Sequence, residues 1–135
     1  MDMIDVRRSQ RDAMLDRLTR EVKLPQIDIS REDDGRHGRY VARIAGIDGE
    51  AELTFTHRGP GKISADHTGA PESMRGTGAA GALVDRLIAD ARAEGFKIIP
   101  LCPYVRSRYE KHPDWQDVMT VAPGEMPHIR SNQGE

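Results

Sequence analysis

Between Met74 and Gly81 the chain reads Met-Arg-Gly-Thr-Gly-Ala-Ala-Gly, placed between a strand-like stretch and a strongly amphipathic helix. Glycines at such a turn let the backbone approach a ligand with its N–H groups exposed. The helix that follows adds the positive end of its dipole, and together these form a site for phosphate or pyrophosphate. Arg75 adds a full positive charge at the rim. Three other side chains could do chemistry. His67 carries an imidazole, a group that titrates near neutral pH. Cys102 stands at a strand end just before a helix start, a place that favours thiolates and hence nucleophiles. Tyr109 offers a phenol as a proton donor. Each has a plainer reading beside the chemical one: a merely tight turn, a hydrogen-bonding histidine, a small buried hydrophobe, a packed tyrosine.

The spacing Gly76-x-Gly78-x-x-Gly81 matches the dinucleotide fingerprint. Its context argues against that use. A dinucleotide fold places an acid at the end of the next strand, for the ribose. Here that strand ends Ile99-Pro100-Leu101-Cys102-Pro103, without one. No Gly-Lys-Ser/Thr follows the glycines either, so the phosphate loop of nucleoside triphosphatases is excluded.

The elements that must position these residues follow from periodicity. Met14, Leu18 and Val22 recur at helical spacing, and Pro25 ends that helix. Gln26–Ser30 alternates like a short strand, and Arg31–Gly38 reads as a polar turn. Arg39–Ala45 and Ala51–His57 form two strands joined at Asp48-Gly49, a hairpin signal. Lys62–Thr68 is a fourth strand. Ala80, Leu83, Val84, Leu87, Ile88 and Ala91 share one helical face, and Gly95 closes that helix. Phe96–Leu101 is a buried strand, Val105–His112 a helix stopped by Pro113, and Asp117–Val121 a last strand. The fold class is α+β: one mixed sheet with an antiparallel N-terminal meander and flanking helices. Residues 1–24 form an amphipathic helix that either packs on the sheet or mediates a homodimer. Residues 25–122 form the domain, and residues 123–135 a loose tail.

Twenty-two acidic against twenty basic residues leave a net charge of −2, with no global pull toward nucleic acid or an anionic membrane. A single cysteine excludes an internal disulfide, and the five histidines show no metal-ligand spacing, so no metal is expected. The N-terminus lacks an apolar leader core and no stretch could span a bilayer, which points to the cytoplasm.

Arg75, Gly78 and Ala80 occupy the defining positions of the Arg/Gln-x-x-Gly-x-Gly/Ala motif, and the turn resembles the acetyl-coenzyme A motif of GNAT N-acetyltransferases. Tyr109-Glu-Lys-His-Pro-Asp-Trp115 resembles a second signature of that superfamily, with His112-Pro113 departing from its usual Gly-Phe ending. The chain is most similar to the small, minimal GNAT-like group of the YjdJ type. The likeness runs through His67-Thr68-x-x-Pro71, Arg75-Gly76-x-Gly78, Ile99-Pro100-Leu101-Cys102-x-Tyr104-Val105 and Lys111-His112-Pro113, over residues 38–118.

The resemblance implies a fold in which the fourth and fifth strands splay and pantetheine lies between them. Pro100, lacking an N–H, suits a ladder that stops there. It implies that the amides of Gly76, Thr77, Gly78, Ala79, Ala80 and Gly81 cradle the coenzyme A pyrophosphate, with Arg75 beside them, and that one or two residues of the basic helix surface Arg106, Arg108 and Lys111 meet the 3′-phosphate. A backbone N–H near His67 and Thr68 would hold the thioester oxygen. Tyr109 would protonate the leaving thiolate. His67 would act as the base, or Asp66 would, from the opposite face of a regular strand. Cys102 would accept the acetyl group in a covalent relay, or only orient the acceptor or line the thioester pocket. The implied activity is acetyl-coenzyme A-dependent N-acetylation of an amine on a small molecule or protein that the sequence leaves unnamed. The alternatives are a non-catalytic acyl-coenzyme A binding protein and an interaction module built on the N-terminal helix.

Overall fold

The alternation of apolar and polar residues from Ile27 onward builds a continuous meander. The computed structural model describes residues 26–128. Strands β1 (Ile27–Asp33), β2 (His37–Ile44), β3 (Ala51–His57) and β4 (Lys62–Gly69) pair antiparallel in sequence order. Strand β5 (Lys97–Pro100) then joins β4 in parallel, which makes the sheet mixed. A parallel pair needs a crossover, and helix α1 (Ala79–Glu94) supplies it. Helix α2 (Pro103–Lys111) and a short 3-10 turn (Pro113–Val118) follow. The expected α+β architecture is the observed one. The expected N-terminal helix lies outside the described residues.

One face of the sheet holds the core. Tyr40, Ala42, Leu53, Phe55 and Ala65 lie buried beneath Leu83, Val84, Leu87 and Ile88 of α1. Each large aliphatic side chain so buried contributes about 1.5–3 kcal/mol. Gly38 is small for a reason. It pairs with Phe55, and a Cβ there would sit 2.3 Å from the Phe55 ring. The opposite face is polar, with Arg39 bonded to Glu32, Glu50 and Glu52 at 2.9 Å each.

Helix α1 starts at Gly78, in the left-handed region at φ 85°, and ends at Gly95, φ 82°, whose N–H bonds the Ala91 carbonyl. Helix α2 starts after Cys102, with Pro103 in its first turn, where a missing N–H costs nothing. It stops before Pro113, as expected.

Three local expectations change. The stretch Arg31–Gly38 is not all turn: β1 runs to Asp33 and β2 begins at His37. Arg31 can sit in a strand because its guanidinium lies over the Tyr40 and Phe55 rings and bonds Asp90 and Glu94. Asp117–Val121 is not a strand. A 3-10 turn buries Trp115, which stacks on His112, and only Met119 bridges to Ile98. The strand expected at Phe96–Leu101 shortens to Lys97–Pro100.

Candidate functional site

The β4–β5 ladder is short. It runs from Lys62 opposite Lys97 to Ala65 opposite Pro100 and stops at the proline. Beyond it, β4 continues to Gly69 against β3 alone, while the other chain turns into α2. The Cys102 N–H bonds the Ala65 carbonyl at 2.8 Å, and this is the last backbone tie before the two segments part. Among the described residues, the edge of Asp66–Gly69 that faces away from β3 has no strand partner. A fork with an open β4 edge is therefore present where the sequence led us to expect one.

Strand β4 is also irregular. Thr54 pairs with His67 and Phe55 with Ala65, which leaves Asp66 as an extra residue in a bulge. The simple alternation that placed Asp66 and His67 on opposite faces does not hold through the bulge. Asp66 receives hydrogen bonds from Thr56 Oγ1 at 2.5 Å and Ser64 Oγ at 2.6 Å, with Arg58 at 3.9 Å. Both its oxygens are already engaged, which makes it a poor free base. His67 is exposed. By register it shares the polar face with Thr54. An open groove of about 650 Å³ runs along that face, lined by Asp33, Asp34, His37, Arg39, Thr56 and Asp66 among others.

Thr68 lies next to the fork. Its hydroxyl accepts the Cys102 thiol at 3.3 Å, and Cys102 is 2% exposed. Tyr109 is placed differently. It is buried two turns along α2, and its hydroxyl donates to the Val121 carbonyl at 2.6 Å. Burial, then the Glu125 and Asp117 charges, push the phenol above its ordinary range and keep its proton on. The structure thus brings Cys102 and Thr68 together but commits the Tyr109 proton to the C-terminal segment.

The glycine turn presents open space and unbonded amides. Gly76 (φ 78°) and Gly78 (φ 85°) occupy conformations that L-residues rarely adopt, and nothing lies within 4 Å of a Cβ at either. Thr77 does internal work, bonding the Met74 carbonyl and receiving the Ala79 N–H. The next amides, Ala80 and Gly81, precede the i−4 ladder, which starts with Ala82 to Gly78. They have no acceptor among the described residues. Arg75 is well exposed beside Glu72, 3.3 Å away. Lys111 is exposed at the end of α2.

Two basic residues read from sequence as helix surface do more. Arg106 caps the end of β5, donating to the Pro100 and Leu101 carbonyls at 3.1 and 2.6 Å. Arg108 lays its guanidinium against Gly81 in the first turn of α1. The sequence signal was indirect: a small residue in α1 facing a long cation in α2. Open glycine positions, unbonded first-turn amides and a nearby cation together fit a pyrophosphate group.

Residues 39–118 match the model of the GCN5-related N-acetyl-transferase family. Among solved structures, the chain is similar to the ribosomal-protein-alanine N-acetyltransferase from Brucella melitensis biovar Abortus 2308. The identity is 21% and the TM-score 0.46, over 72% of this chain and 71% of that one. A search of curated proteins returns no match.

Proposed function

This chain belongs to the GCN5-related N-acetyltransferase family, and we propose on that premise that it transfers the acetyl group of acetyl-coenzyme A to an amine. The observation that carries this reading is the fork: β4 and β5 part after Ala65 and Pro100, and the chain that crosses between them carries a glycine turn with unbonded amides. A thioester arm held in the fork would place its carbonyl against the open edge of β4 near His67 and Thr68. An N–H there is a fixed dipole, which stabilises a developing oxyanion without reorganising.

The acceptor approaches from the polar face in this reading. His67 lies there, and the acidic residues of the groove suit an amine that arrives as a cation. The amine loses its proton to His67 or to water and attacks the carbonyl carbon. The C–S bond then breaks, and the coenzyme A thiolate leaves and takes up a proton. Cys102 and Thr68 line the fork. Among the described residues, neither Cys102 nor Thr68 hydrogen-bonds a base that would remove the thiol proton, which favours direct transfer over a covalent relay.

One observation favours the second reading, a coenzyme A binding protein that does not turn over. Tyr109, the expected acid, spends its proton on Val121. A paired experiment separates the two. Coenzyme A should raise the melting temperature by mass action, while NAD at equal concentration should not. Acetyl-coenzyme A with a panel of amines should then release free thiol. Stabilisation without thiol release would select the binding protein. Stabilisation by NAD alone would overturn both.

A further inference from the structure

Arg108 is held in a position that its protein partners do not explain. A Cβ placed on Gly81 would lie 3.0 Å from its Nη1, 3.2 Å from Cζ and 3.5 Å from Nη2, so the flat guanidinium lies directly on the glycine. Gly81 stands in the first turn of α1, near the positive end of that helix dipole. A cation gains nothing from that end. The Arg108 Nε is buried with no hydrogen-bond partner among the described residues. Its one carboxylate among the described residues, Asp85, is 3.4 Å from Nη2 and mostly exposed, which makes for a weak tie. A guanidinium carries five N–H donors in a planar fork suited to phosphate oxygens, and here one finds a long contact.

We propose that Arg108 is a pyrophosphate-binding residue: the α2 side of a clamp whose α1 side is the glycine turn, with Gly81 kept small to seat the guanidinium. This rests on the coenzyme A reading above and deepens it. A pyrophosphate on the Ala80 and Gly81 amides would bring negative charge to Arg108, satisfying its unused donors and offsetting the dipole. It makes recognition depend on two elements that meet through the Arg108 side chain, which reaches from α2 to Gly81. Binding should therefore also report on the packing of α2.

The experiment is calorimetric titration of coenzyme A, dephospho-coenzyme A and pantetheine into the full chain and four variants. Arg108→Gln should weaken coenzyme A and dephospho-coenzyme A alike, by about tenfold or more, the scale of a lost charge-assisted hydrogen bond. Pantetheine, which lacks the pyrophosphate, should bind both proteins equally. Arg108→Lys should recover part of the loss. Gly81→Ala should act in the same direction by displacing the guanidinium, and it keeps the test alive if Arg108→Gln folds poorly. Asp85→Asn should leave affinity unchanged, which a mere helix–helix ion pair would not distinguish from Arg108→Gln. Wild-type affinity in Arg108→Gln would overturn the proposal. So would a loss confined to the ligand bearing the 3′-phosphate. If the wild-type chain binds neither nucleotide, the functional reading itself fails. If it binds both and only Arg108→Gln is silent, this inference alone fails.

Discussion

The Cys102 thiol donates to the Thr68 hydroxyl at 3.3 Å, bridging β4 and the start of α2 just past the last β4–β5 pair. That geometry gives the thiol a neutral partner that accepts its proton without removing it. Cys102→Ser keeps a donor to Thr68 and should keep turnover within about threefold, since the transition state loses little. Cys102→Ala leaves a small void and an unpaired Thr68 hydroxyl, and should cost about 1 kcal/mol of stability. Intact mass after rapid quenching with acetyl-coenzyme A checks the scheme. An acetyl-Cys102 adduct that forms and decays at the turnover rate would sink direct transfer, and so would loss of all activity in the Ser variant.

Arg75→Ala and Gly78→Val probe the turn from its two sides. Arg75 is exposed and its pair with Glu72 is exposed, so the folded state should not notice its loss. Coenzyme A affinity should fall several-fold. Gly78→Val forces a β-branched residue into φ 85°, at a cost of about 1–2 kcal/mol, and adds bulk where the protein leaves open space. Its affinity should fall further than that of Arg75→Ala when both are titrated well below their melting temperatures. Unchanged affinity in both would make the turn structural only.

Some of this site was legible from sequence and some was not, for physical reasons. The turn was legible because glycines at 76 and 78 are demanded by backbone conformation, and that demand is local. The end of the ladder was legible because Pro100 cannot donate. The bulge was not. Asp66 is an ordinary polar strand residue, and only the pairing of Thr54 with His67 and Phe55 with Ala65 reveals the extra residue. The reach of β1 to Asp33 was hidden too, because Arg31 is stabilised by Asp90 and Glu94, about sixty positions away. The seat of Arg108 on Gly81 was hidden because Gly81 lies on another helix.

Asp90 gives the fold a pH dependence. Burial opposes its ionisation, but hydrogen bonds from Tyr40 (2.7 Å) and Arg86 (3.1 Å), with the Arg86 and Arg31 charges, outweigh it and hold the carboxyl below the usual range. A depressed folded value stabilises the native state above the unfolded carboxylate pKa of about 3.9, and that stabilisation is lost as pH falls through the folded value. Tyr40→Phe removes one donor. It should cost about 1–2 kcal/mol near pH 7, with the difference from wild type shrinking below about pH 4. Urea unfolding at several pH values checks this. A cost that stays constant into acid would mean that the phenol packs and does not bond.

Tyr109 and Val121 pose the sharpest question about catalysis. The buried phenol is 12 positions from the carbonyl it bonds, and that bond at 2.6 Å ties the chain after the 3-10 turn back onto α2. A proton donor for the leaving thiolate would have to break this bond in every cycle, leaving the part-buried Val121 carbonyl without its donor. Tyr109→Phe removes the donor and leaves that acceptor behind, so it should cost about 1–3 kcal/mol of stability. If the bond is the residue's main task, turnover measured well below the melting temperature should fall by less than about threefold, equivalent to under 1 kcal/mol in the transition state. Hydrogen exchange should then report faster opening of residues near Val121. The opposite pattern, unchanged stability with turnover down a hundredfold, would return Tyr109 to the role of acid. It would also require the fork to rearrange around the bound thioester, because the hydroxyl must leave Val121 to reach the sulfur.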